Sequence, residues 1–241
     1  MGHPSNELFP ARQKSTVRRL TIPASLFALV AVTARATWFV WLPNYRPALH
    51  AHEQYGIDVS HHQGRINWTR VKRDGISFAY IKASEGGRQV DGSFSENWRY
   101  AGHAGMRRGA YHFFTLCASG DEQAARFPDT IHGGAELAPA VDVELLGNCT
   151  KRPSRASVRR ALRTFVQKVE VRTGQRVNLY VGDDFEARCG VRSELQRPLW
   201  RLRFLRRPAS NNWTIWQVMG FAHVDGIHGD VDLDVGRLNM R

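Results

Sequence analysis

The sequence predicts an α/β fold, an irregular TIM-like barrel preceded by an N-terminal hydrophobic segment. From residue 55 onward, short apolar runs typical of buried strands alternate with segments of helical apolar spacing. Roughly eight strand candidates fit within residues 55–241, the number that closes a TIM-type barrel. The later connections are too short for full helices, so we expect the second half to be antiparallel or nearly helix-free.

The predicted elements follow one another in a regular order. Strands are expected at residues 55–60, 76–84, 108–114, 137–144, 177–182, 198–204, 213–218 and 231–236. Apolar spacing predicts helices at residues 66–75, 94–106, 121–131 and 154–174. The last of these helices opens on Ser154, a favoured cap, and stops at Gly174. Alternation of strands and helices favours a mostly parallel sheet.

Residues 1–43 have the layout of a signal peptide or a signal anchor. A basic start precedes the apolar stretch 20–43, "LTIPASLFALVAVTARATWFVWLP". The core 22–32 followed by "ARA" fits a cleavable peptide. The whole stretch would also span a bilayer of about 30 Å as one helix. We favour the uncleaved anchor, with the N-terminus in the cytoplasm and the rest outside. Residues 44–54 are expected to form a linker before the domain 55–241.

Composition limits the function classes. The 241 residues carry a net charge of +12 and a sequence pI of about 10.3, which favours anionic partners such as nucleic acid, lipid or an acidic wall polymer. No zinc finger, RNP-like motif or phosphate-binding loop accompanies the charge, so nucleic acid is not expected. The three cysteines lack C-x-x-C spacing, so no zinc site is expected. The sequence leaves two alternatives for the cysteines. They form one disulfide, between Cys149 and Cys189, or they are three buried thiols.

Residues 138–147, "APAVDVELLG", carry an apolar run into two acids. On a strand, Asp142 and Glu144 would share a face about 6 to 7 Å apart. Two carboxyl groups held that close raise the pKa of one, which suits a general acid. The alternative is a helix start or an ordinary acidic loop.

The other predicted strands also end in polar or aromatic residues. In a parallel barrel the C-terminal strand ends meet at one face, where active sites lie. A mixture of acids, amides and aromatic rings suits sugars, and paired carboxylates suit glycosidic cleavage. No spacing indicates a metal site. The candidates at these strand ends are Asp58, Lys82, Tyr111, Asp142, Glu144, Tyr180, Trp216, Gln217 and Asp232.

Seven motifs in order resemble glycoside hydrolase family 25, the Chalaropsis-type lysozymes. They are "YGIDVSHHQGRINW", "FAYIKASEGG", "GAYHFF", "APAVDVE", "LYVG", "WQV" and "DGIHGDVDLDV", which lie within residues 55 to about 236. The resemblance implies a (β/α)5(β)3 barrel that cleaves the β-1,4 bond between N-acetylmuramic acid and N-acetylglucosamine in peptidoglycan. It implies retention of anomeric configuration and no cofactor.

The resemblance also implies roles for individual residues. Glu144 matches the general acid, and Asp142 matches an acid that orients or polarises the acetamido group. Asp58 and Asp232 match the acids of the first and last strands, and Tyr180 matches a tyrosine that holds the acetamido group. Whether the nucleophile is an aspartate or the substrate's own acetamide stays open. With Asp142 ionised beside it, we expect Glu144 to keep its proton.

Three positions depart from the family's pattern. Leu202 and Phe204 stand where a small residue and a tyrosine are usual, and Asp234 stands where an asparagine is usual. These departures put the substrate preference in question. Two other functions therefore stay open: a catalytically weak peptidoglycan-binding module, and a basic membrane-tethered protein that acts by charge.

Overall fold

The computed structural model describes residues 24–131, 134–145 and 149–238. It separates a short N-terminal unit that ends at Trp41 from a compact unit that begins at Leu42. In the first unit, helix α1 (Ala24–Ala36) is followed by a π-helical turn (Thr37–Trp41). Within the described ranges, no helix has both the length and the apolar character needed to cross a membrane. The predicted membrane anchor is not confirmed. Residues 1–23 of the predicted N-terminal segment 1–43 lie outside the described ranges.

Nine strands in the described residues build the second unit, and eight of them close a barrel. Around the barrel the order is β1-β9-β8-β7-β6-β5-β4-β2, and β2 pairs back to β1. The short β3 forms a hairpin with the end of β2. The strands are β1 (Gln54–Val59), β2 (Ile76–Glu85), β3 (Gln89–Val90), β4 (Arg107–Phe114), β5 (Ala140–Val143), β6 (Asn178–Val181), β7 (Leu199–Leu202), β8 (Trp213–Ala222) and β9 (Val231–Gly236).

The predicted barrel is confirmed, but its second half is more parallel than expected. β5, β6, β7 and β8 run parallel to one another. Among the eight strands of the barrel, β9 is antiparallel to both of its neighbours, β8 and β1. The helices are α2 (Trp68–Arg73), α3 (Phe94–His103), α4 (Gly120–Thr130), α5 (Arg155–Thr173), α6 (Asp183–Cys189) and α7 (Val191–Leu195). Helices follow the first five barrel strands and are absent after β7 in the described part, which gives the (β/α)5(β)3 order.

Local sequence signals explain why the long helix α5 was predicted and why the helices α6 and α7 were not. Ser154 Oγ accepts a hydrogen bond from the Ser157 N–H, and Gly174 ends the helix in the left-handed conformation at φ 67°. Helices α6 and α7 have only seven and five residues. Gly190 separates them, so the apolar spacing is interrupted before it repeats, and the sequence analysis assigned no helix there.

Two apolar cores hold the barrel. One lies between the sheet and the helices. The other fills the barrel interior below its C-terminal end and consists of Phe78, Tyr80, Tyr111, Leu137, Ala140, Tyr180, Trp200, Ile215 and Leu238. Glycine makes room for these rings: a Cβ at Gly56 would lie 2.1 Å from the Phe78 ring. Within the described residues, these side chains fill the barrel interior up to its C-terminal end.

Residues 44–54, predicted as a linker, are packed against the barrel. Tyr45 contacts the outer core, and Arg46 donates a hydrogen bond of 2.6 Å to the His223 carbonyl. The Glu53 carboxylate is buried and pairs with Arg207 and Arg237. Polar composition suggested a free segment, but these residues reach partners that are distant in sequence.

A disulfide joins Cys117, after β4, to Cys149, after β5, with their Cα atoms 5.6 Å apart. The predicted Cys149–Cys189 pair is wrong, because Cys189 is a buried free thiol at the end of α6. Sequence separation did not show which loops meet at the barrel's end.

Reduction of this disulfide is expected to destabilise the protein. The two cysteines are 32 residues apart, and a loop of that length corresponds to about 3 to 4 kcal/mol in the chain-entropy account. Thermal unfolding with dithiothreitol should show a Tm roughly 10 °C lower. The double variant Cys117→Ser/Cys149→Ser is the control, since the reductant should not change its Tm. An unchanged Tm of the wild-type chain under full reduction would contradict the prediction.

Candidate active site

A cavity of about 390 Å³ opens at the C-terminal ends of the parallel strands. Eight of the nine predicted site residues line it: Asp58, Lys82, Tyr111, Asp142, Glu144, Tyr180, Gln217 and Asp232. They come from seven different strands or strand ends, so the barrel brings together residues that are far apart in sequence. The site is thus a cleft rich in acids with an aromatic floor.

The first pair of acids projects from the end of β5. Asp142 lies inside the strand and Glu144 directly follows it, and both face the cavity as the sequence predicted. Asp142 lies opposite Tyr180 in the register of β5 and β6. The Tyr180 hydroxyl is hydrogen-bonded to the Glu144 carboxyl. Asp142 Oδ1 is buried and has no hydrogen-bond partner among the described residues, so it can accept a donor from a ligand.

The second pair of acids joins β1 and β9. Asp58 and Asp232 are direct partners in the antiparallel register of these strands. Gln217 Nε2 donates to Asp232 Oδ1 at 2.6 Å and to Asp58 Oδ2 at 3.3 Å. Gly220 leaves room beside this pair, because a Cβ there would lie 3.0 Å from Asp232 Oδ1. The Gln217 amide therefore holds two carboxyl groups of adjacent strands together.

Burial raises the pKa values of all four acids, and the charge of a neighbouring carboxylate adds to the rise in each case. Burial is the largest cause in each case. The charge of Asp232 adds to the effect on Asp58, and the charge of Glu144 adds to the effect on Asp142. The pKa of Asp232 rises to about 6. The hydrogen bond from Tyr180 opposes the rise of the Glu144 pKa. The cluster therefore retains protons that separated carboxyl groups would lose.

The expected contrast between an ionised Asp142 and a protonated Glu144 stays a prediction, because burial raises the pKa of both carboxyl groups. The pKa of Asp142 is raised well above its ordinary value, although the Lys82 ammonium lowers it in part. Lys82 Nζ lies 2.7 Å from Glu85 Oε2 and 4.8 Å from the centre of the Phe113 ring. Its charge is thus shared between Glu85 and the acids. Position, rather than charge alone, has to distinguish Glu144 from Asp142: Glu144 lies beyond the strand, half-buried at the cavity.

Trp200, which the sequence did not single out as a site residue, is the centre of the aromatic floor. Its ring makes edge contacts with Tyr111 and Tyr180 at centroid distances of 6.5 and 5.7 Å. Leu202, two residues later on β7, lines the same cavity. Strand alternation from Leu202 would have identified Trp200 as facing inward.

Trp216 does not line the cavity, so its predicted role in binding substrate is corrected. Its side chain is only 1% exposed and lies in the core outside the sheet. Its Nε1 donates to the Arg203 carbonyl, and the Arg207 guanidinium lies 5.1 Å from its ring. Since Gln217 faces the barrel interior, its neighbour on β8 must face outward.

The rim of the cavity has polar and apolar sides. Ser60, His62 and Gln63 lie on the polar side. On the apolar side, Leu202 lines the cavity and is 47% exposed. Phe204 is 51% exposed and packs against Phe221 at 5.8 Å, outside the lining of the cavity. Of these two departures from the family's pattern, Leu202 adds apolar surface to the cavity and Phe204 does not.

A larger and more open cavity of about 1000 Å³ lies beside α2 and α3. Two of its arginines form ion pairs, Arg46 with Asp74 and Arg70 with Asp225. It lacks a cluster of acids with raised pKa values within the described residues. Among all the described residues, no group of three or more His, Cys, Asp or Glu side chains could hold a metal ion. The smaller cavity is therefore the candidate for catalysis.

Known proteins are similar to this chain in sequence and in fold. The family model "Glycosyl hydrolases family 25" matches residues 57–227. The uncharacterized protein YegX of Escherichia coli O6:H1 is 33% identical over 93% of this chain and 91% of its own length. Lysozyme M1 of Streptomyces globisporus is 35% identical over 73% of this chain and 65% of its own.

A solved structure gives the same result. A family 25 glycosyl hydrolase from Bacillus anthracis superposes with a TM-score of 0.72 and 30% identity, and the match covers 81% of this chain and 94% of that one. The family match includes three of the four clustered acids and stops before Asp232. Barrel, acid cluster and sequence agree: this chain belongs to glycosyl hydrolase family 25 and is a glycoside hydrolase.

Proposed function

We propose that the chain is a muramidase that cleaves the β-1,4 bond between N-acetylmuramic acid and N-acetylglucosamine in peptidoglycan. The observation that carries the proposal is the group of four carboxyl residues, with raised pKa values, around one sugar-sized cavity with an aromatic floor. Similarity to Lysozyme M1 supports the same reaction class.

Glu144 acts as the general acid that protonates the leaving oxygen. Burial raises its pKa, so it holds a proton at a higher pH than an ordinary glutamate. It lies at the end of β5 with its carboxyl group against Tyr180, which fixes its orientation. An acid at this position faces the open part of the cavity, where a glycosidic oxygen can approach.

Asp142 holds the acetamido group of the substrate. Its buried Oδ1 is without a partner, which suits an acetamido N–H. A fixed acetamido group can place its own oxygen as the nucleophile, which is the substrate-assisted route to retention. Asp58 and Asp232 lie across the cavity, where negative charge stabilises a transition state of oxocarbenium type.

The net charge of +12 suits an anionic cell wall, on which a basic enzyme accumulates. The Cys117–Cys149 disulfide fits a protein that works outside the cytoplasm, because disulfides persist in oxidising compartments. We therefore place the action of the chain in the cell envelope or outside the cell.

The exposed Leu202 at the cavity favours one second candidate, a wall-binding module with weak catalysis, because its apolar side chain adds contact surface without adding a reactive group. Incubation of the full chain with suspended peptidoglycan separates the two functions. A muramidase lowers the turbidity of the suspension and releases soluble fragments. Protein that pellets with several kinds of wall while releasing no fragments would overturn the proposed function and favour the binding module.

A further inference from the structure

Asp234 is a buried acid that the reaction scheme leaves unused. It lies on β9, opposite Gly56 of β1 and Gln217 of β8, with no exposed surface. It does not line the cavity, but it contacts two residues that do, Trp200 and Asp58. It therefore lies directly behind the acid pair of β1 and β9.

The two oxygens of Asp234 have different partners. Oδ1 accepts a hydrogen bond of 3.0 Å from Trp200 Nε1. Oδ2 is buried, and no N–H or hydroxyl group in the described residues donates to it. Asp58 lies two residues after Gly56 on β1, so its side chain shares the inner face of the sheet with Asp234 as a diagonal neighbour, and the two carboxyl groups interact there. Two carboxylates have no hydrogen to share, so this contact requires a proton between them.

Burial decides which of the two acids holds that proton. Asp234 has no exposed surface, whereas Asp58 is half-buried at the cavity and also accepts from Gln217. Asp232 and Tyr80 also lie near Asp234, and neither supplies positive charge. The Arg107 guanidinium acts on Tyr80 but is not among the groups that act on Asp234. The negative charge is therefore more stable on Asp58, and the neutral acid is Asp234.

We propose that Asp234 is a positioning residue that donates a hydrogen bond from protonated Oδ2 to the Asp58 carboxylate while Oδ1 accepts one from Trp200. This contact orients the Asp58 carboxylate and stabilises its charged form. It also couples Asp58 to the aromatic floor through Trp200. The functional part of this inference rests on the proposed muramidase activity, whereas the protonation of Asp234 does not.

Infrared difference spectra of the full chain at neutral pH test the protonation directly. Glu144 and the other protonated acids contribute carboxylic-acid carbonyl bands to every variant, so each spectrum is subtracted from that of the wild-type chain. One such band should be lost in Asp234→Asn and kept in Asp58→Asn. If no band were lost in Asp234→Asn, Asp234 would be ionised. If a band were lost in Asp58→Asn, the proton would lie on Asp58. Either result overturns the proposal, and neither depends on any catalytic activity.

Rates on peptidoglycan test the positioning role. Asp234→Leu removes the donor and should lower kcat roughly 10- to 100-fold, the range for one hydrogen bond to a charged group. Asp234→Asn keeps a donor for Asp58 and an acceptor for Trp200, so it should restore most of the rate. In Asp234→Leu, but not in Asp234→Asn, the acidic limb of the pH–rate profile should move up by about one to two pH units. The Asp58 carboxylate loses the hydrogen bond that stabilises its charged form, so its pKa rises.

Thermal melts show whether the Asp234→Leu variant is folded. If it is unfolded, the rate of Asp234→Asn relative to the wild-type chain tests the positioning role instead. A loss of rate in Asp234→Asn as large as that expected for the leucine variant would overturn the positioning role. So would identical acidic limbs in a folded Asp234→Leu variant and the wild-type chain. If the wild-type chain released no fragments, the muramidase proposal would fail, while the infrared result would still decide the state of Asp234.

Discussion

Glu144→Gln should lower the rate of peptidoglycan hydrolysis by about 10² to 10⁴-fold, the usual contribution of a general acid. Glutamine keeps the shape of the side chain and its contact with Tyr180, but it has no proton to give to the leaving oxygen. Binding to the wall should stay near that of the wild-type chain, because the cavity and its aromatic floor are unchanged. Initial rates of fragment release and pelleting of the protein with the wall measure the two quantities.

The matched control is Glu96→Gln, on the exposed face of α3 and outside the acid cluster. It should keep the wild-type rate. If Glu144→Gln also kept that rate, Glu144 would not be the acid. Asp142→Asn would then be the variant to measure, because the pKa of Asp142 is raised as well.

Glu53→Gln should lower the free energy of unfolding by about 3 kcal/mol, near the lower end for breaking a buried ion pair. The Glu53 side chain is 1% exposed and accepts from Arg207 at 2.5 Å and from Arg237 at 3.2 Å. Both arginines also cover tryptophan rings, Trp216 and Trp213. Urea unfolding of both proteins at neutral pH measures the difference.

The stabilisation by Glu53 has a defined pH dependence. Burial acts to raise the pKa of Glu53, but hydrogen bonds from the His50 N–H and the two arginines outweigh it and lower the pKa below 4.5. A lowered pKa in the folded state means that the stabilisation is complete above pH 4.5 and is lost as the pH falls through the folded value. The difference between wild type and Glu53→Gln should therefore shrink in acid.

Asp225→Asn is the control for Glu53→Gln, because the Arg70–Asp225 pair has side chains that are 58% and 48% exposed. It should lower the free energy of unfolding much less than Glu53→Gln does, because exposed ion pairs contribute little to stability. Equal losses in the two variants would contradict the claim that burial gives the Glu53 pair its strength.

Strand alternation predicted most of the site. "APAVDVE" placed Asp142 and Glu144 on one face, and the structure shows both at the cavity. The same rule, applied to β8, would have turned Trp216 outward and left Gln217 inside. The error arose because "WQV" was read as a motif rather than as alternating faces. Trp200 was missed because the alternation of faces was not applied along β7 either.

Long-range partners could not be predicted from the sequence. The Cys117–Cys149 pair depends on which loops meet at the barrel's end. The packing of residues 44–54 depends on arginines more than 150 positions away. The raised pKa of Asp142 depends on burial, which adjacent residues in sequence do not reveal. Helical and strand periods specify local structure, whereas these features come from closure of the barrel.

The most direct test of the central claim is the identity of the sugar at the new reducing end. Soluble products of the full chain acting on peptidoglycan are reduced with borohydride and identified by mass spectrometry. The account predicts fragments that end in reduced N-acetylmuramic acid and that fall to trace levels with Glu144→Gln. Fragments that end in reduced N-acetylglucosamine, or equal yields from both proteins, would contradict it.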